Sequence, residues 1–437
     1  MSESKNNKKQ KPPRKDVKAF FFLRHNNDID HITPVLHKWL STENVKTDVI
    51  IPTSRELIDD YRIQYLKKYK NANIYFIADI FKKLSLEYLF NRVYFKYDTQ
   101  SDTVFKRAPI AKKFADKIIK RIANEIFKGV ESGVVVFDWT ATYFTQKIVE
   151  IAKYREFTTV SLPHGDRVYM SLMERINEIS YDHLWKTDDA DIYDYIVVPN
   201  KLCAERFQKV KDKSKVKILG SSRYSDEWRE IISKYIPPYE IKGDKDKLKI
   251  VMFLRNTGFP IYWEEVARSI KLISQFPDAY LIVKNHPRSA NKKTLEKQLV
   301  NLYPEIEENF DKNLKFLYQG VNSFSLLNWA DVTIDMGTSI AWEAVKQGKP
   351  VLALEYLNAN YTYLADFIKG AEIKYRDQLY DTIDSFVKNK NRKFYDEKDR
   401  KRFINEIIDF PDKNNLERYS KFLKMCLDES IKKHGKK

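Results

Sequence analysis

VTIDMGTSIAWEAVKQGKPVLALEY, residues 332–356, is the stretch whose reading decides the fold. A β-branched run leads into a tight turn at Gly337, then a helix from Ile340 to about Gln347, then a turn at Gly348 and a second apolar run. Thr338 and Ser339 are good N-cap residues, and Gly348 suits the C′ position of the helix. The amides of Thr338, Ser339 and Ile340 are therefore expected to form an anion site at a helix N-terminus. Glu343, one turn further in, is placed to accept hydrogen bonds from a sugar diol.

The same strand–helix–strand grammar extends outward. Towards the N-terminus of this stretch, strands are expected at 248–254, 280–284 and 314–318, with helices at 261–275, 291–302 and 323–329. Earlier in the chain, strands are expected at 19–23, 48–51, 74–77, 133–137, 158–162, 195–198 and 216–219. Amphipathic helices at 110–128 and 143–154 lie among them. Alternating units of this kind imply parallel sheets covered by helices on both faces. Pro237, Pro238 and a polar GDKDK run at Gly243 interrupt the pattern. The expected organisation is a disordered basic leader (1–18), an N-terminal Rossmann-like domain (19–235), a linker (236–246), a second Rossmann-like domain (247–395), and C-terminal helices with a basic tail (396–437). The fold class is α/β, two doubly wound Rossmann-like domains facing a cleft, with C-terminal helices and ligand at the carboxyl ends of the strands.

Composition narrows the function. With 437 residues, 43% hydrophobic and 32% charged, the chain has material for two cores. Two cysteines, Cys203 and Cys426, are too few for a disulfide framework or a Cys-rich zinc site. No apolar run reaches the roughly 18 residues that span a bilayer, and the Lys-rich N-terminus does not read as a secretory signal. Of the net charge of +17, +5 sits in residues 1–18 and +4 in the last six, leaving +8 for the middle. An anionic membrane surface and a phosphate-bearing substrate both fit this excess. Nucleic acid does not, because the aromatics lie in apolar periodic segments and not among the basic residues. The implied setting is cytoplasmic, with peripheral contact at the inner face of the membrane.

Candidate site residues gather at strand ends. Residues 280–289 (YLIVKNHPRS) end a strand with His286, Pro287 and Arg288, two phosphate donors flanking a strand-breaker. Residues 251–258 (VMFLRNTG) place Arg255 and Asn256 likewise. In the first half, 20–39 (FFFLRHNNDIDHITPVLHKW) carries Arg24, His25, Asp28, Asp30 and His31, read as acceptor-side residues. Asp138 closes VVVFDWT, and His164 and Asp166 close TTVSLPHGDRVY. A His beside carboxylates is general-base material. His25, His31 and His37 are spaced by six, which is not the i, i+4 pairing of a helical metal site, so no metal and no cofactor are expected. G-x-S-x-G, G-x-x-x-x-G-K-[ST] and G-x-G-x-x-G are all absent from the sequence, which argues against those hydrolases, P-loop NTPases and dinucleotide enzymes.

These motifs resemble a known superfamily. ADVTIDMGTSIAWEAVKQGKPVLALEY is similar to the C-terminal nucleotide-binding segment of GT-B glycosyltransferases. It most resembles capsule and surface-polysaccharide enzymes, including β-Kdo transferases, and CDP-glycerol glycerophosphotransferases; non-hydrolysing UDP-N-acetylglucosamine 2-epimerases are related in fold. KNHPRS resembles the His-Pro motif that such enzymes place on donor phosphates, and SLPHGD the His-Gly motif that carries a proposed base. VKILGSSRYSD resembles the G-x-x-R element before the linker. The resemblance implies a metal-independent glycosyltransferase moving a sugar from a nucleotide donor, CMP-linked Kdo being the leading case, to a glycolipid or oligosaccharide acceptor. It assigns His286 and Pro287 to the donor phosphates and Glu343 to the ribose. His164, Asp166 and Asp138 stay open as base or cation stabiliser. A polyol-phosphate transferase, a UDP-sugar 2-epimerase-like enzyme and a non-catalytic assembly module remain the alternatives. The chain departs from the epimerase pattern where Ser-Gly-Gly becomes Gly337-Thr338-Ser339 and a carboxylate pair becomes Trp342-Glu343.

Overall fold

The computed structural model describes residues 16–24, 26–52, 55–90, 109–139, 142–165, 169–171, 191–207, 210–241, 246–255, 261–286, 294–318, 321–357 and 360–435. The chain divides into two compact units. Met1–Gly165, Trp185–Trp228 and Asp409–Lys437 form the first, and Asp166–Leu184 and Arg229–Ile408 the second.

The first unit holds seven strands: β1 (Val17–Phe22), β2 (Lys46–Ile51), β3 (Ala72–Phe76), β4 (Ser132–Asp138), β5 (Thr158–Leu162), β6 (Tyr195–Val198) and β7 (Val216–Ile218). They form one parallel sheet in the order β3-β2-β1-β4-β5-β6-β7. β4 and β5 are buried along their whole length, as strands of a doubly covered sheet are, although β5 (TTVSL) carries three hydroxyl side chains. Phe20, Phe127 and Phe157 lock the sheet to its helices, with ring centroids 4.9 and 5.3 Å apart in edge-to-face pairs.

The second unit repeats the design with β8 (Leu248–Phe253), β9 (Ala279–Lys284), β10 (Leu314–Leu317), β11 (Val332–Asp335), β12 (Val351–Leu354) and β13 (Glu372–Ile373). Their order is β10-β9-β8-β11-β12-β13, all parallel. A two-stranded antiparallel ladder pairs Tyr169–Ser171 with Asn360–Thr362. Every strand expected from the sequence is present within two residues. β13 and the small ladder were not anticipated; at two and three residues, they are too short to show a period.

The units are not sequential. Asn415–His434, expected within a separate terminal segment, is a 20-residue helix against β4 and β5 of the first unit. The Gly133 amide donates to Ser430 Oγ (3.0 Å) and the Tyr195 hydroxyl to Glu429 (2.8 Å). The helix is anchored at its start by the element read as G-x-x-R. The Tyr419 hydroxyl donates to the Gly220 carbonyl at 2.8 Å, and Asn415 Nδ2 to the Ser221 carbonyl at 3.2 Å. Gly220 has φ +87°, and a Cβ there would lie 2.4 Å from the Asn415 side chain, so only glycine fits. Residues 1–15 and 242–245, parts of the expected leader and linker, lie outside the described residues. Among the described residues, no helix is long and apolar enough to cross a membrane.

Candidate functional site

In the first unit, three adjacent strands, β1, β4 and β5, end side by side. β1 runs out through Leu23 into Arg24, β4 ends at Asp138, and β5 runs out through Pro163 into His164. The helix Asn26–Thr42 begins just after β1 and contributes Asp28 from its first turn. These four residues converge. His164 Nδ1 lies 2.6 Å from Asp28 Oδ1 and 2.8 Å from Asp138 Oδ2. The Arg24 guanidinium donates to Asp138 Oδ2 at 3.1 Å, and the Arg24 amide donates to Asp28 Oδ2 at 2.9 Å. Asp28 and Asp138 are buried, while a quarter of the His164 side chain (26%) is exposed.

Two cations face two anions, so the cluster is neutral and can be buried without an unpaired charge. Burial opposes a charged imidazole, but hydrogen bonds and charges from Asp138 and Asp28 outweigh it and push the His164 pKa up to about 10. Burial would likewise raise Asp138, yet Arg24 and His164 hold its carboxyl well below the usual range. At neutral pH, His164 is thus an imidazolium with Nδ1 committed to the two carboxylates. The sequence leaves His164 open as base or cation stabiliser; a ring in this charge state has a proton to give and can accept one only after that proton has left.

His31 is buried on the same helix. Burial and the nearby positive charges of Arg223 and His164 hold its pKa well below the ordinary value, so it is neutral. Asp30 stands apart from the cluster, paired with Arg62 and, at 3.7 Å, with Arg223. His25 and Asp166 lie outside the described residues. One ligand atom each from Asp28, Asp138 and His164 lies within 4.8 Å of the others, a spacing that a metal ion could bridge. A cation there would have to displace the Nδ1 proton and stand beside the Arg24 guanidinium, so the donor set fits a proton better than a metal.

In the second unit, the strand ends of β8, β11 and β12 carry Arg255, Asp335 and Glu355. Asp335 organises the turn. Its carboxylate accepts from the Gly337 amide (2.8 Å), the Thr338 amide (3.0 Å) and the Thr338 hydroxyl (2.6 Å). Of the three amides expected to form an anion site, that of Thr338 serves Asp335 instead, and Ser339 makes no side-chain cap on the seven-residue helix Ile340–Lys346. Gly337 has φ +86°, and a Cβ on it would sit 3.3 Å from Arg255 Nη1, so the guanidinium packs directly on the turn. Burial raises the Asp335 pKa against its three hydrogen bonds and the Arg255 charge. Glu355 accepts from the Thr362 amide (3.2 Å) and from the Thr362 hydroxyl; burial pushes it up to about 7.

Glu343 is buried on the helix after the turn, and His286 is half-buried just past β9, following buried Lys284 and Asn285. Asn256, Pro287 and Arg288 lie outside the described residues. Asp335 was missed by sequence reasoning because it read as the last residue of a strand, and Glu355 because it follows one directly. A carboxylate two residues before a Gly-Thr turn is the signal that could have found Asp335.

No family model matches the chain, and no curated protein matches it. Solved structures do match. A co-structure of MnaA from S. aureus with UDP has a TM-score of 0.56 at 13% identity, over 94% of this chain and 97% of that one. UDP-GlcNAc 2-epimerase from Neisseria meningitidis bound to UDP-GlcNAc has a TM-score of 0.53 at 12% identity, over 94% and 100%. UDP-N-acetylglucosamine 2-epimerase from Rickettsia bellii has a TM-score of 0.53 at 11% identity, over 96% and 98%. These likenesses establish the fold: two Rossmann-like units of GT-B-like type, alike over nearly the whole chain.

Proposed function

We propose that this chain is a nucleotide-sugar enzyme that acts on a UDP-sugar by acid–base chemistry at the sugar, as a 2-epimerase-like enzyme. The observation that carries this is the His164 imidazolium held against Asp28 and Asp138 at adjacent strand ends. Epimerisation needs a donor for the departing group and an acceptor for a carbon-bound proton. A residue that first gives a proton to the departing nucleotide and then takes the one at C2 meets the elimination half of that need; a solvent-derived proton returns to the opposite face of C2 as the nucleotide re-adds, and the carboxylates keep the ring oriented. Arg24 fixes Asp138 and Asp28 while His164 changes charge. In the second unit, Arg255, which packs on the Gly337–Thr338 turn, His286 and Glu343 are assigned to the nucleotide, with Glu343 on the ribose. The fold shared with structures named as 2-epimerases supports UDP over the cytidine nucleotide that the sequence resemblance favoured.

Incubation with UDP-GlcNAc alone in D₂O tests this reading. Deuterium at the sugar C2, followed by NMR without any acceptor, is the expected result. A wild-type protein that binds UDP-GlcNAc and shows no exchange overturns it. The second reading is glycosyl transfer from a CMP-linked sugar such as Kdo, or transfer from CDP-glycerol, to a glycolipid or oligosaccharide acceptor in surface-polysaccharide synthesis. It is favoured by His164-Gly165 and Asn285-His286-Pro287, which the resemblance links to such transferases. A thermal-shift comparison separates the two, since a bound nucleotide raises stability by RT ln(1 + [L]/Kd). In either case the proposed setting is the cytoplasm, with peripheral contact at the inner face of the membrane.

A further inference from the structure

We infer that the outer face of the helix Pro109–Ile126 docks on an anionic phospholipid bilayer. The helix is 18 residues long and two-faced. Ala115, Ile118, Ile119, Ile122, Ala123 and Ile126 form its buried stripe. Its exposed positions are Ile110, Lys113, Phe114, Lys117, Lys120, Arg121 and Asn124. That face carries four cations and, among the described residues, no carboxylate. Both acids on the helix are engaged elsewhere: Asp116 accepts from the Tyr143 hydroxyl, and Glu125 pairs with Lys83 at 2.6 Å.

The apolar residues on this face decide between partners. Ile110 is 84% exposed and Phe114 49%. They stand at i and i+4, so they are neighbours on one line of the helix, and Lys117 and Arg121 continue that line at i+7 and i+11. A purely solvated face would not present two large apolar side chains together at one end of a cationic stripe. An interfacial helix does: its apolar residues enter the acyl boundary while Lys and Arg stems reach up to lipid phosphates. Nucleic acid would instead call for several stacking rings among the cations, and this face offers one. The surface is independent of the basic leader, and its lipid binding does not require the proposed reaction.

The experiment is flotation of the full chain with phosphatidylcholine vesicles, with and without phosphatidylglycerol. Two double variants are compared, Ile110→Ser with Phe114→Ser and Lys113→Glu with Lys117→Glu, each checked by circular dichroism and melting temperature. Wild type is expected to float only with the anionic vesicles. Each cation near the surface is worth about fivefold in partitioning, so the charge variant should lose at least tenfold. The apolar variant should also lose at least tenfold yet remain salt-sensitive. Wild-type flotation by both folded variants would overturn the proposal and leave the leader as the anchor. Absence of wild-type flotation, or loss in the variants of RNA binding with vesicle binding intact, would overturn it as well.

Discussion

The two units use carboxylates in opposite ways. In the first, Asp28 and Asp138 are met by charged side chains from other elements, and the result is a buried ion cluster with a titratable ring at its edge. In the second, Asp335 is met mainly by the amides and hydroxyl of its own turn. A charge-balanced cluster changes its hydrogen bonding when one proton leaves, so it suits chemistry. A carboxylate bound to local amides stays fixed through such a change, so it suits a binding platform. Variants of the first cluster should therefore act on turnover and its pH dependence, and variants of the second on affinity.

The largest effect is expected at His164. His164→Gln retains hydrogen bonding to one carboxylate but cannot transfer a proton, so turnover should fall by about 10² to 10⁴. UDP binding, measured by calorimetry, should change little. A variant that turned over normally would strip the cluster of its role and leave only its structural worth.

That structural worth is the next test. Asp138→Ala leaves the Arg24 guanidinium and the His164 imidazolium buried without their shared anion, a loss of about 3–5 kcal/mol. Denaturant unfolding should show it as a lower midpoint at unchanged slope. The pH profile has a definite sign. His164 is raised from about 6.5 in the unfolded chain to about 10, so its contribution is full below pH 6.5 and lost as pH climbs towards 10. Asp138 is held low, so its contribution is full above about pH 4 and lost in acid. The cluster therefore stabilises most between about pH 4 and 6.5. A melting temperature that rose in wild type relative to His164→Gln between pH 7 and 9.5 would contradict the assigned protonation.

Glu355 supplies a smaller effect of another origin. Its carboxyl is raised to about 7 mainly by burial, so folding favours the protonated form, and stability is lost as pH rises from about 4.5 to 7. Glu355→Gln keeps an acceptor for the Thr362 amide and hydroxyl. The variant should be a few kcal/mol more stable than wild type at pH 8 and nearly equal at pH 4. Equal stability at both values would show that the carboxyl is solvated.

These sites were unequally legible in the sequence for a physical reason. The strands declared themselves because a doubly covered parallel sheet demands continuous apolar runs, and Ser132–Asp138 and Ala279–Lys284 are such runs. The turn at Gly337 was legible because its parts are adjacent in the chain, although the residue satisfying its amides, Asp335, was hidden as a strand end. The first cluster joins residues 24, 28, 138 and 164. Its members could be named from their strand-end positions, but nothing local says that Asp28 turns towards His164 while Asp30 turns towards Arg62. Protonation was the least legible property, since it depends on how two carboxylates share one ring nitrogen.

The smallest effect separates the two kinds of site. Gly337 adopts φ +86°, and alanine there pays about 1–2 kcal/mol for a left-handed backbone. Its Cβ would also stand 3.3 Å from Arg255 Nη1, close enough to require a shift of a few tenths of an ångström. A guanidinium at the end of a flexible side chain can make that shift, so the fold should survive with a loss near the lower bound. The displaced Arg255, the residue assigned to the nucleotide phosphates, then sits differently over the turn. Gly337→Ala should weaken UDP binding by about tenfold, the loss expected when a charge-assisted contact is misplaced and not removed. Turnover at saturating substrate, and its dependence on pH, should stay near wild type because the His164 cluster is untouched. Wild-type UDP affinity in this variant would take the turn out of the binding site, whereas an altered pH profile would show that the two carboxylate designs do not act separately.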